Sequence, residues 1–209
     1  MYKIKDSARG WNFLHENTTE YDTSKDDLEF IFSFIKNQAK DKVLDIGCGK
    51  FLSSIHGKKR GLDFYGCDIS SVAINSMKIK NKDLDKVIVA NSQNLPWERD
   101  YFDTVIAISS LDNMSFEEAQ STVSESNRVL KPKGSLLAVL KSEDTDKFKG
   151  FYQDKRLMVR KNVQVTQNKY TKLKILRLFE PLFQILVFKK INLADGKDGS
   201  HWLVLLQKR

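Results

Sequence analysis

The chain has 209 residues, 41% hydrophobic and 30% charged, which is enough for one sizeable core and excludes a disordered or fibrous protein. Its formal net charge is +8, and segment 147–174 alone holds nine Lys or Arg against Asp154, an excess equal to that of the whole chain. No run is long and apolar enough to span a bilayer, the start Met1–Asp6 lacks the apolar run of a secretory leader, and Cys48 and Cys67 lack metal-ligand spacing. These features lead us to expect a cytoplasmic protein with reduced thiols and no metal.

Residues 1–23 show no clean period and read as an irregular leader whose aromatics, Trp11, Phe13 and Tyr21, pack on the domain. From Ser24 a helix is expected to about Ala39, with Leu28, Ile31, Phe32 and Ile35 on one face and Asp26 and Asp27 at the positive end of its dipole. Val43-Leu44-Asp45-Ile46 then reads as a buried parallel strand running into Gly47-Cys48-Gly49, a turn whose glycines let backbone approach a ligand closely. A short helix is expected over 50–60, a second strand over Asp63–Ile69, a helix capped by Ser70 through Met77, and a third strand over Val87–Ala90. Pro96 keeps the following loop, Asn91–Trp97, from being helical.

A fourth strand over Phe102–Ile108 precedes a helix over 115–129 capped by Ser115, a turn over Lys131–Gly134 and a fifth strand over Leu136–Leu140. The basic insert, 142–170, breaks this rhythm. A helix over 171–179 stops before Pro181, and two strands, about 183–191 and 201–207, flank the hairpin-like Asp195-Gly196-Lys197-Asp198-Gly199. Strands alternating with helices predict right-handed βαβ units and a mostly parallel sheet in one domain over 1–209, with 1–40 as an N-terminal cap and helix.

Two acids define the crevice at the strand ends. Asp68 lies nineteen positions past Gly49, where a carboxylate accepts hydrogen bonds from both ribose hydroxyls. Asp45 sits beside the glycine turn, where it repels a pyrophosphate and attracts a cationic group. Leu52 stands where a dinucleotide site wants a small residue. The pattern favours a nucleoside carrying a positive charge over a dinucleotide.

Five blocks in order, Val43–Gly49, Gly66–Ser70, Asn94–Trp97, Phe102–Val105 and Arg128–Gly134, resemble the signatures of class I S-adenosylmethionine (SAM)-dependent methyltransferases, and most of all the subgroup that includes the ubiquinone and menaquinone methyltransferases. The resemblance implies an α/β Rossmann-like three-layer sandwich with a seven-stranded, mostly parallel sheet and an antiparallel C-terminal hairpin. It implies SAM as cofactor, with Asp45 and Gly47 at the methionine end, Cys48 and Gly49 in the turn and Asp68 on the ribose. Ile69, Asn91, Ser92 and Leu95 then face the adenine, Ser109 and Ser110 the sulfonium, and Tyr21 or Trp11 closes over the cofactor. Three positions depart from the pattern: Lys50-Phe51 in place of a third glycine, Asn91 in place of an acid, and Lys133 in place of a glycine.

Methyl transfer from a sulfonium needs alignment and, for some acceptors, removal of a proton. Asp112, just past the fourth strand, and His15 are the candidate bases, while His56 and His201 read as surface or structural. No Asn-Pro-Pro-Tyr-like segment follows the fourth strand, which disfavours nucleic-acid enzymes that methylate amino groups through one. The expected acceptor is a small or unidentified molecule. One alternative is an RNA held by 147–174, where Phe148, Phe151, Tyr152 and Tyr170 interleave with cations; another is a SAM-binding partner protein without transfer activity. The sequence leaves the oligomeric state open.

Overall fold

A computed structural model describes residues 4–17, 25–35, 42–50, 61–80, 86–144, 156–160, 163–193 and 200–209. Its strands are β1 (Lys42–Ile46), β2 (Asp63–Asp68), β3 (Val87–Val89), β4 (Phe102–Ile108), β5 (Leu130–Lys141), β6 (Arg156–Arg160), β7 (Val163–Gln167), β8 (Phe183–Asn192) and β9 (Ser200–Lys208). Among the described residues the helices are α1 (Ile4–Asn17), α2 (Lys25–Ser33), α3 (Ser71–Lys80), α4 (Phe116–Val129) and α5 (Lys172–Phe179), and a 3₁₀ turn spans Leu111–Asn113.

Seven strands form one sheet in the order β3-β2-β1-β4-β5-β9-β8, while β6 and β7 pair antiparallel in a small sheet of their own. The first five strands of the large sheet are mutually parallel; β9 runs antiparallel to both β5 and β8. The chain moves outward from β1 to β3, then returns to place β4 on the other side of β1. The β1–β4 junction is therefore the switch point at which open α/β sheets bind ligands.

Both faces of the sheet are covered, so alternate residues of each strand feed different cores. Leu44, Ile46, Val105, Ala107, Leu136 and Ala138 pack with Val123 of α4 and Leu178 of α5. Val43, Ile106, Leu137 and Val139 pack instead with Leu28, Ile31 and Phe32 of α2 and Ile74 and Met77 of α3. Each of the larger of these side chains, Val to Phe, contributes roughly 1.5–3 kcal/mol by leaving water, and the alanines less. Among the described residues no helix is long and apolar enough to cross a membrane.

Three local expectations change. Over Ile4–Asn17 the leader is a helix, α1, and not irregular, with Ile4, Ala8, Trp11 and Leu14 recurring at helical spacing. The described helix after Ser24 ends at Ser33, with Phe34 and Ile35 in a turn and their amides bonded to Ile31 and Phe32 carbonyls. Lys131–Gly134 is an irregularity inside β5, not a turn before it, because Leu130 already pairs with Phe102 and Ser135 with Thr104. Lys133 takes φ +64°, the conformation that glycine adopts freely, so the departure noted at that position carries local strain. The expected helix over 50–60 lies mostly outside the described residues.

The recognisable blocks hold one another. Asp103 accepts from the Lys42 backbone N–H at 3.2 Å and from Lys131 Nζ at 2.8 Å, joining β1, β4 and β5. Arg128 donates to the carbonyls of Leu95 (2.9 Å) and Trp97 (2.8 Å) while paired with Glu125, whose other oxygen accepts from the Leu95 N–H at 2.8 Å. This clamp fixes the loop after β3. Arg128→Ala is expected to cost about 2–3 kcal/mol, since charge-assisted bonds to half-buried backbone are lost. Urea unfolding of the two proteins checks it, and a loss under roughly 0.5 kcal/mol, the level of an ordinary surface substitution, would contradict the clamp.

Candidate functional site

β1 ends in a turn that only glycine fits at its first position. Gly47 has φ +65°, and a Cβ there would fall 2.6 Å from Ser110 Cβ at the end of β4. Gly49 has φ +50°. The Gly47 and Cys48 N–H groups both donate to the Cys67 carbonyl, at 2.8 and 3.0 Å, which folds the turn over the end of β2. Cys48 and Cys67 are free and buried, and burial pushes both thiols up, so neither is a ready nucleophile.

Asp68 closes this turn from β2. Its Oδ2 accepts from the Gly49 N–H at 2.9 Å and its Oδ1 from the Ser70 N–H at 2.7 Å. Burial raises its pKa, against which the two amides and the nearby His15 favour the charged form. Each oxygen keeps a lone pair for a ligand hydroxyl. Asp45, 3% exposed, sits directly before the turn and adds a second buried carboxyl.

Helix α1 lies against this turn. Asn12 Oδ1 accepts from Ser70 Oγ at 2.8 Å and from the Val72 N–H at 3.3 Å, and its Nδ2 donates to Ser71 Oγ at 3.4 Å, binding α1 to the start of α3. His15 Cε1 is 3.6 Å from where a Gly49 Cβ would be, and Trp11 packs beside it with ring centroids 6.1 Å apart. His15 therefore stands at the turn and near Asp68. Residue contacts also link α1 to β7, and β7 to the 3₁₀ turn.

Beyond β3, Asn91 Oδ1 accepts from the Gln93 N–H at 3.0 Å, and Ser92 Oγ lies 3.0 Å from Thr122 Oγ1 on α4. Leu95 is buried under the Arg128 clamp. These bonds give the loop one shape, and leave Asn91 Oδ1 a second lone pair.

The end of β4 is the most unusual stretch. Ser109 adopts φ +49°, its N–H bonded to the Val139 carbonyl at 2.9 Å and its own carbonyl accepting from Asn113 Nδ2 at 2.6 Å. Ser110 is buried with its hydroxyl unpaired. Asp112 is wholly buried and neither carboxylate oxygen makes a full hydrogen bond. Burial raises its pKa; Lys141 and His201, and more weakly its own N–H and that of Lys141, oppose the rise. The Asn168 N–H donates to the Asp112 carbonyl at 2.6 Å, and Tyr170 OH to the Leu111 carbonyl at 3.2 Å, so the end of the insert is fastened over this turn.

The structure thus gathers Asp45, Gly47, Cys48, Gly49, Asp68, Ser109 and Ser110 at adjoining strand ends, with His15 above the turn and Ile69, Asn91, Ser92 and Leu95 on the β2–β3 side. Tyr21 and His56 lie outside the described residues. His201 is buried within β9, so of surface and structural it is the structural reading that holds. Sequence reading missed Asn12, Asn168 and the Glu125–Arg128 pair as organisers of the site. Only Arg128 carried a signal, as the first residue of a recognisable block.

Gly47→Ala is expected to destabilise the fold by about 2–4 kcal/mol, through positive φ and overpacking against Ser110. Adding Ser110→Gly should restore the steric share, read by thermal denaturation of single and double variants. Asp112, with its pKa raised on folding, binds its proton more tightly when folded. Its contribution is therefore greatest below the ordinary carboxylate pKa and is lost as pH rises towards the folded value. Asp112→Asn is expected to gain about 1 kcal/mol at neutral pH, shrinking on acidification; denaturant titrations from pH 5 to 8 test the sign.

Comparison with known proteins bears on this geometry. Residues 44–138 match the family described as a methyltransferase domain. The chain is 35% identical over 111 residues to a tRNA (carboxymethyluridine(34)-5-O)-methyltransferase of Arabidopsis thaliana, covering 49% of this chain and 25% of that enzyme. It thus spans about a quarter of that relative's length. A crystal structure of a SAM-dependent methyltransferase from Methanosarcina mazei superposes with TM-score 0.72 at 21% identity, over 84% of this chain and 96% of that one. A putative methyltransferase of Haloferax volcanii, solved with the Trm112 methyltransferase activator, gives TM-score 0.70 at 14% identity, over 99% and 98% of the two chains. At these identities the two structures speak for the fold alone.

Proposed function

We infer that this chain, built as a class I SAM-dependent methyltransferase, transfers the methyl group of that cofactor to an acceptor lying beyond Ser110. The observation that carries the reading is the Asp68 carboxylate, fixed by the Gly49 and Ser70 N–H groups with a lone pair left on each oxygen. That arrangement suits a ribose diol, and the buried Asp45 beside it suits the cationic end of the same molecule.

When bound, the cofactor supplies a methyl group already activated on a positively charged sulfur. The protein's part is orientation. Gly47, Cys48 and Gly49 let backbone close on the methionine portion, while Ile69, Asn91, Ser92 and Leu95 flank the base. Ser109 and Ser110 border the reacting end under the cover that α1 provides, and Tyr21 is assigned to the cofactor on the sequence resemblance alone. Asp112, held at a raised pKa in a buried setting, is the group we assign to proton removal where the acceptor needs it. His15, at the cofactor turn, is the weaker candidate.

An RNA acceptor is the second reading. It is favoured by the charge of 147–174 and by the likeness to an enzyme named for tRNA.

Calorimetry with S-adenosylhomocysteine tests the cofactor half. Wild-type protein should bind, and Asp68→Ala should weaken binding at least tenfold; equal binding by both would remove the assignment. Transfer of radiolabelled methyl from SAM into the RNA or the small-molecule fraction of an extract separates the two acceptor classes. An RNA acceptor further requires binding that weakens steeply with salt.

A further inference from the structure

We propose that the turn after β4, together with Asn168, forms a subsite for a hydrogen-bond-donating nitrogen group of the methyl acceptor, of the amine or ammonium type. The inference rests on the transferase reading and names the chemistry of the acceptor. Asn113 Nδ2 donates to the Ser109 carbonyl, and Asn168 Nδ2 donates to the Met114 carbonyl. A carbonyl oxygen only accepts, so neither amide can be turned round. Their Oδ1 atoms are therefore the ends left over, and both are buried without a partner.

Asp112 adds two more buried, unpartnered acceptor oxygens from the same 3₁₀ turn. The Asn168 N–H bond to the Asp112 carbonyl places the two residues side by side. Asp112 is fully buried and Asn168 is 4% exposed. Buried polar atoms in folded proteins find partners as a rule. Here four acceptor oxygens from three residues, on one turn and the strand end fastened to it, have none. Ser110 Oγ, also unpaired, is a nearby hydroxyl able to donate or accept. Lys141 and His201, facing Asp112 from β5 and β9 where those strands pair, favour its charged form without a full hydrogen bond to it.

The unpartnered atoms here are four acceptors and the Ser110 hydroxyl, the reverse of the several free donors that a carboxylate or phosphate needs. Such a set offers what a nitrogen bearing two or three N–H groups needs. Its place, two and three residues beyond the Ser110 that packs on Gly47, puts that group on the acceptor side of the glycine turn. An oxygen-rich set also suits a hard metal cation, which the test separates.

The test is ligand-observed NMR on the full chain saturated with S-adenosylhomocysteine, using methylammonium, acetate, potassium and magnesium as probes. Methylammonium should bind saturably in the millimolar range, and acetate should not. Asp112→Asn should weaken methylammonium at least tenfold, and Asn168→Leu should weaken it several-fold. Circular dichroism establishes that each variant is folded, and either one alone suffices. The proposal is overturned if methylammonium does not bind, if acetate binds as well, or if folded variants bind methylammonium like wild type. It is also overturned if potassium or magnesium occupies the site and excludes methylammonium. Calorimetry with S-adenosylhomocysteine on the same wild-type protein reads the cofactor site separately, so loss of one reading is distinguishable from loss of the other.

Discussion

A single carboxylate ties together the parts of this molecule that matter for chemistry. Asp68, at the end of β2, takes one N–H from the turn after β1 and one from the start of α3. Ser70, whose amide it holds, caps α3 through the Ala73 N–H and donates its hydroxyl to Asn12 of α1. Sheet, helix and N-terminal cover are thus joined through two adjacent loops. Because both carboxylate oxygens are anchored by backbone, the remaining lone pairs point in fixed directions, and a ligand meets a site already set.

The sheet order explains why these loops meet at all. β1 lies between β2 and β4, so the turn after β1 touches the ends of both neighbours: Cys67 through its carbonyl on one side, Ser110 through its side chain on the other. Gly47 is the point of closest approach, with a positive φ and no room for a Cβ. A side chain added at Gly47 would therefore meet Ser110 first. The insert completes the arrangement from above, Asn168 bonding to Asp112 and Tyr170 to Leu111.

Much of this was legible in the residues. The strands β1 to β4, the Gly47–Gly49 turn and the acids at 45 and 68 announce themselves through local rules of period and turn chemistry and fall where expected. The helix α1 was missed although Ile4, Ala8, Trp11 and Leu14 recur at helical spacing, and its hold on Ser70 and the start of α3 runs through one polar residue, Asn12, whose role only the fold reveals. The strand β5 was misread at its start because Lys133 takes a glycine-like conformation within a run that looks like a turn. Arg128 and Asp103 stood out as members of blocks, yet their work is structural, clamping the loop after β3 and joining three strands. Asn168 and the burial of Asp112 depend on long-range packing and have no sequence signal of their own.

The central claim is that Asp68 and the glycine turn form the cofactor site. A crystal structure of the protein with S-adenosylhomocysteine tests it most directly. The ribose hydroxyls are expected within hydrogen-bonding distance of the Asp68 carboxylate, the methionine portion over Gly47–Gly49, and the sulfur directed towards Ser110. Density for the ligand elsewhere, or bound with its ribose away from Asp68, would contradict it.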